Sequence, residues 1–288
     1  MYFPIGFDLD RAIELGGLVS QAYLQYEAYQ TGEPWTLPGG YGLHKELHYL
    51  RRTGKNALKG GDYFEFDLRG NRAAGARNIR GFPLGYVTRR KGSIFLVFRG
   101  TIADHEWIRN LQIGLVPYLL KDFGKVHEGF LEIYNLFRPL IMDTLDGMDP
   151  RSPLFITGHS LGGALATLAL PDIGARWGRR PVGLYTYGSP RVGDNAFVTA
   201  FNCRYFGKSF RIINTSDMVG LIPPPAPIAG ALGGYFSDVD TPVDFTYQAD
   251  DVVKNHDIAV YLSVLRDARE KRKFLRRLKN WFGRRRVV

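Results

Sequence analysis

Apolar residues along the chain fall into two rhythms. Short runs predict strands: the continuous apolar Ile94-Phe95-Leu96-Val97-Phe98 and the stretch Ser152-Pro153-Leu154-Phe155-Ile156 read as buried, and Phe210-Arg211-Ile212-Ile213-Asn214 reads as a third. Gly60 to Arg69 and Gly85 to Arg99 also read as strands, the second broken into a hairpin at Arg90-Lys91-Gly92. Other stretches repeat at helical spacing. Ile13, Val19, Ala22, Tyr23 and Tyr26 predict a helix from Asp8 to Tyr29 that packs on the sheet and is interrupted at Gly16-Gly17. The small apolar residues Ala164, Leu165, Ala166, Leu168, Ala169 and Leu170 predict a tightly packed helix directly after a strand. His44 and His48 are four apart, as on one face of a solvated helix; no third ligand accompanies them, so no metal is expected there. The pattern as a whole is α/β, a central and mostly parallel sheet flanked by helices.

Between the strand at Ile156 and the helix at Ala164 lies Gly158-His159-Ser160-Leu161-Gly162, a G-x-S-x-G sequence in the strand-turn-helix setting that a nucleophile elbow requires. A Cβ at position 158 or 162 would collide with the neighbouring strand or helix, so both are glycine. A serine hydroxyl is a weak nucleophile near neutral pH and needs a histidine base, itself held in the working tautomer by a carboxylate. The chain order for this elbow is Ser, acid, His. Only His256 follows Ser160. The acids between them are Asp172, Asp194, Asp217, Asp238, Asp240, Asp244, Asp250 and Asp251. Asp217 is best placed, because it leaves the carboxyl end of the strand Phe210–Asn214, where α/β sheets carry their sites. Asp194 is a rival that also reads as a helix N-cap. An oxyanion hole takes one donor from the N–H of Leu161 and a second from the loop after an earlier strand, where Thr101 offers an N–H and a hydroxyl.

With these residues in view, the sequence resembles the class 3 lipase family, which includes the fungal triacylglycerol lipases. The matching stretches are Phe98-Arg99-Gly100-Thr101, His127-Glu128-Gly129-Phe130, Gly158 to Ala166, Tyr187 to Asp194, Asp217-Met218-Val219 and His256-Asp257, in the family's order over residues 60 to 262. The resemblance implies an α/β-hydrolase fold, Ser160, Asp217 and His256 as a catalytic triad, and Thr101 and Leu161 as oxyanion donors. It implies a lid over residues 102–118. Within that lid Trp107, Ile108 and Leu111 share one face of a short helix. It also implies a cofactor-free serine hydrolase of lipid esters, a triacylglycerol lipase first and phospholipase A1 as the alternative. From another class, the alternative is a catalytically silent lipid-binding protein. Three features depart from the fungal pattern. The proline turn behind the acid is delayed to Pro223-Pro224-Pro225, residues 226–236 form an apolar Gly/Pro-rich loop that fits either the wall of an acyl pocket or a hydrophobic surface loop with no role in binding, and no disulfide is available.

Composition adds little to the fold and much to the question of partners. With 288 residues and 45% apolar content, residues 1–265 can bury one large core without covalent staples. Cys203 is the single cysteine, so no intrachain bridge forms. The first residues lack a basic stretch followed by an apolar one, and no run of eighteen apolar residues occurs; the expectation is a cytoplasmic protein, peripherally membrane-associated at most. The net charge of +10 is concentrated in residues 266–288, which hold eleven Lys and Arg against two acids. Within this basic tail Phe274, Leu275, Leu278, Trp281 and Phe282 recur at helical spacing, the composition of a helix lying in a membrane interface. Peripheral binding to anionic membrane through Phe274, Leu278, Trp281 and the surrounding cations is therefore expected, and nucleic acid is not. The competing expectations are a helix extension packed on the body and a disordered solubilising tail.

Overall fold

Strand register shows how the alternating side chains divide the core in two. In the computed structural model, which describes residues 1–49, 82–101, 114–178, 182–223, 235–239 and 241–284, seven strands form one sheet. They are β1 (Gly42–Tyr49), β2 (Phe82–Arg90), β3 (Ser93–Phe98), β6 (Leu154–His159), β7 (Val182–Tyr187), β8 (Ser209–Asn214) and β9 (Thr241–Phe245), adjacent in that order. From β3 to β9 every pairing is parallel, while β1 and β2 are antiparallel additions at one edge. Two short strands, β4 (Leu115–Pro117) and β5 (Lys125–His127), pair separately.

Along β3, Ile94, Leu96 and Phe98 face one cluster and Phe95 and Val97 the other. Helices α2 (Glu128–Asp146), α3 (Leu161–Trp177) and α4 (Asn195–Tyr205) cover the first face; α1 (Leu9–Thr31) and α6 (Ile258–Arg284) cover the second. A short α5 (Val252–Asn255) precedes α6. In α3 all residues from Leu161 to Ile173 are buried, which accounts for a helix of small and apolar residues without a polar stripe.

Two expectations are corrected. Gly16-Gly17 does not interrupt the first helix, which runs unbroken from Leu9 to Thr31. A Cβ on Gly16 would lie 2.8 Å from Leu262 Cδ2 and 3.3 Å from the Tyr187 ring, so this glycine lets α1 approach α6 and β7. His44 and His48 are on a strand, not a helix. Their segment is held by antiparallel pairing with β2, with register shifts on either side of Lys45–Leu47, and tertiary pairing overrides local spacing. Among the described residues no group of three His, Cys, Asp or Glu is set to hold a metal, and no helix is long and apolar enough to cross a membrane.

The strand expected at residues 60–69 lies outside the described residues, as do residues 102–113 of the expected lid and 226–234 of the apolar loop. The basic tail is helical through Arg284: α6 crosses residue 266, where the charge changes, without a break.

Candidate active site

The elbow follows from close packing around Ser160. This residue adopts φ 55° and ψ −129°, one of three non-glycine residues with positive φ among those described. A Cβ on Gly158 would come within 2.1 Å of the Gly162 carbonyl oxygen, and one on Gly162 within 2.5 Å of the Arg99 carbonyl oxygen. The turn can therefore form only with glycine at both places. Ser160 N–H donates to the Tyr187 carbonyl at 3.0 Å, which ties the turn to β7. Leu161 is buried as the first residue of α3, where backbone N–H groups lack intrahelical partners. Thr101 follows β3 through Gly100, whose backbone passes so near the elbow that a Cβ there would sit 2.7 Å from Ser160 Cβ.

Asp217 lies beyond β8 and His256 between α5 and α6, and the two meet at the carboxyl end of the sheet. His256 Nδ1 is 2.6 Å from Asp217 Oδ2, both side chains being buried. The His256 ring packs against that of His159, centroids 4.5 Å apart, which brings it to the residue before Ser160. Asp217 Oδ1 accepts the Val219 N–H at 2.9 Å. The floor beneath the pair is Gly188, with φ 51°: a Cβ there would be 2.8 Å from Asp217 Oδ2 and 3.0 Å from His256 Cε1.

The rival acids are engaged elsewhere. Asp172 pairs with Arg138 at 2.6 Å and accepts from Tyr134, Asp194 caps α4 through Phe197 N–H, and Asp238 pairs with Arg191 and Arg211. Asp251 caps α5, Asp244 and Asp250 are exposed, and Asp240 lies outside the described residues.

Several participants were not anticipated from sequence. Tyr261 Oη donates to Asp217 Oδ2 at 2.5 Å, giving the carboxylate a second donor on the oxygen that faces His256. Asn214 gathers the loops behind the pair through bonds to the carbonyls of Tyr247 and Asn255. Tyr23 Oη accepts the Gly100 N–H at 2.9 Å and shares a hydrogen bond of 2.7 Å with His159 Nδ1. Burial, with His256 nearby, holds the His159 pKa well below its usual value and the ring neutral. Arg99 is buried against the Tyr26 ring and donates to the carbonyls of Pro83 and Gly100; burial lowers its pKa to about 10. Tyr and Arg on three distant segments carry no local signal, and only the assembled fold brings them together.

A serine on a strand-to-helix elbow, with an acid and a histidine paired behind it on a helix-flanked parallel sheet, defines the α/β-hydrolase fold with a serine-type site. Residues 95–226 match the sequence model of the class 3 lipase family, described as Lipase (class 3). Among the chain's relatives is the secreted mono- and diacylglycerol lipase 1 of Fusarium solani, 37% identical over 134 residues, which cover 46% of this chain and 39% of that one. A chloroplastic/mitochondrial phospholipase A1 of Oryza sativa subsp. indica is 30% identical over 237 residues, 67% of this chain and 54% of that one. The triacylglyceride lipase structure of Rhizomucor miehei shares the fold with a TM-score of 0.56, at 23% identity over 81% of each chain. The chain spans less than half the length of the fungal relatives it matches.

Proposed function

We propose that this protein is a serine hydrolase of lipid carboxylic esters, a triacylglycerol lipase in the first reading. The observation that carries the proposal is the buried contact of 2.6 Å between His256 Nδ1 and Asp217 Oδ2 beside the Ser160 elbow. In this reading the His256 Nδ1 proton is held by Asp217, which makes Nε2 the base nitrogen. His256 takes the Ser160 proton as Oγ attacks the ester carbonyl, and the imidazolium that forms is stabilised by the Asp217 carboxylate. The backbone N–H groups of Leu161 and Thr101 receive the oxyanion; each such donor is worth roughly a hundredfold or more in rate. The alcohol leaves with the proton from His256. Water, activated by the same base, then releases the fatty acid from the acyl-enzyme.

Phospholipase A1 activity is the second reading, favoured by the rice relative, whose similarity extends over the longer stretch of this chain. The exposed Phe274 and Trp281 on the basic part of α6, with Leu278 between them, support peripheral binding to anionic lipid. The test is acid release by wild type and Ser160→Ala from emulsified triacylglycerol, from phosphatidylglycerol vesicles and from a soluble short-chain ester. Loss of all hydrolysis in the variant is expected, with triacylglycerol the preferred substrate of the wild type. Hydrolysis that survives in Ser160→Ala removes the proposed nucleophile.

A further inference from the structure

The two halves of α6 bury and expose different sides. Near its start, Ile258, Tyr261, Leu262 and Leu265 are buried against the sheet. At 3.6 residues per turn, the centre of the stripe formed by Phe274, Leu275, Leu278 and Trp281 is rotated from that body-facing stripe by roughly 160°. A mere extension of the packed helix would keep its apolar residues in phase with the first half. Instead they turn away from the protein, with Phe274 60% and Leu275 58% exposed.

The helix also carries this stripe to the far end of the molecule. Tyr261 reaches Asp217 at the carboxyl end of β8, whereas Arg269 lies 3.7 Å from Asp10 in the first turn of α1. The guanidinium of Arg272 lies 6.0 Å from the centroid of Phe3. Phe3 stacks on Phe7, which meets the edge of Phe210 at the beginning of β8. From Ile258 to Arg272 the helix rises about 21 Å, matching the roughly 20 Å length of a six-residue strand, so the remaining turns extend about 18 Å past the sheet. They do so at the end opposite Ser160.

At this end the N-terminal segment adds apolar surface of its own. A groove of ≈ 690 Å³ runs along α6 beside it, from Phe245 and Thr246 at the carboxyl end of β9, past Asp267, to Tyr2, Phe3, Arg272 and Leu275. Tyr2 is 79% and Ile5 94% exposed, and the 78% exposed Phe206 is close by, since Gly6 abuts the carbonyl of Gly207. Apolar side chains on two separate segments thus border the same cationic helix.

We propose that Tyr2 and Ile5, together with Phe206, join the stripe of α6 in one composite docking surface for an anionic bilayer, set at the end of the sheet remote from the nucleophile. The inference rests on the membrane reading of α6 given above. The occupant follows from charge and shape. Eleven cations against two acids in residues 266–288 favour an anionic surface, and a second copy of this chain would bring the same charge against it. Exposed Ile5 and Leu275 gain nothing from a polynucleotide backbone but can enter the acyl boundary of a bilayer. Docking and chemistry are then separate functions of opposite ends, and loss of the first leaves turnover of a soluble ester intact.

The full chain is compared with Tyr2→Ser/Ile5→Ser and Phe274→Ser/Leu278→Ser variants in flotation with mixed phosphatidylglycerol–phosphatidylcholine vesicles. Vesicles of phosphatidylcholine alone and double-stranded DNA are run alongside, and hydrolysis of a soluble short-chain ester reports folding. The N-terminal variant is expected to need about tenfold more anionic lipid for half-binding, from the lost apolar insertion, with ester hydrolysis unchanged. If it binds like wild type while the helix variant fails, the composite surface is wrong and the helix reading stands. Wild-type binding by both variants overturns the helix reading as well. Binding to DNA equal to that for anionic vesicles, and insensitive to all four substitutions, means that charge alone is responsible and overturns the composite surface.

Discussion

Ser160 holds a backbone conformation that L residues adopt at a cost of about 1–3 kcal/mol. The surrounding packing enforces it, because the glycines at 158 and 162 leave no room for another turn. A serine retained in that conformation implies that the placement of its Oγ is worth more than the stability it sacrifices. The strain should be separable from the chemistry. Ser160→Ala keeps the positive φ and Ser160→Gly relieves it, so both variants should be inactive while the glycine variant is more stable by about 1 kcal/mol in urea unfolding. Equal stabilities would mean that the elbow is unstrained. At this scale the sequence was most legible: the meeting of Asp217 and His256 near the Ser160 elbow was expected from a motif, a chain order and the one histidine after Ser160. Tyr261, whose hydroxyl fixes Asp217, was not legible, because a tyrosine at helical spacing in α6 looks the same whether it packs or bonds to a carboxylate.

Among the elements, α1 and α6 decide how the second face of the sheet closes. Their close approach depends on Gly16, since any larger residue meets Leu262 and Tyr187. Gly16→Val should lower stability by about 1–3 kcal/mol through overpacking, read as a fall in thermal midpoint. An unchanged midpoint would mean that α1 can move without loss. Local sequence rules misjudge this position because they assign glycine a helix-breaking role, whereas here tertiary contact sets its value. The same failure explains β1, where four-residue spacing of His44 and His48 suggested a helix and pairing with β2 imposes a strand. Strand β3 was legible as an unbroken apolar run, and β6 and β8 as short apolar-rich stretches, because strands covered on both faces carry little polar alternation. The N-cap role of Asp194 was equally plain and is realised through its bond to Phe197 N–H.

In the whole molecule, buried histidines link stability to pH. Burial lowers the His127 pKa from 6.5 to about 4, and that of His159 is held low by burial and by His256. In the unfolded chain both take up protons as pH falls through 6.5, while the folded protein keeps His127 neutral down to about pH 4. Stability is therefore lost across that window as pH falls, by about 3 kcal/mol for His127 alone, and the His127 contribution changes no further below it. The urea midpoint should drop between pH 7 and pH 4.5, and His127→Asn, which retains a capping side chain, should flatten the profile; an equally steep profile in the variant would assign the loss to other groups. Charge was readable at this scale from composition alone, since the excess is confined to one end of the chain. Its position relative to the site was not, because that requires knowing that α6 runs antiparallel to the strands and ends far from Ser160. The proposed activation of Ser160 as a nucleophile by the His256–Asp217 pair has a chemical signature. It is tested most directly by labelling the protein with a fluorophosphonate and mapping the adduct by mass spectrometry. One adduct is expected, on Ser160, whose formation slows by about a thousandfold or more in His256→Ala. An adduct elsewhere, or labelling of Ser160 at an undiminished rate without His256, would contradict it.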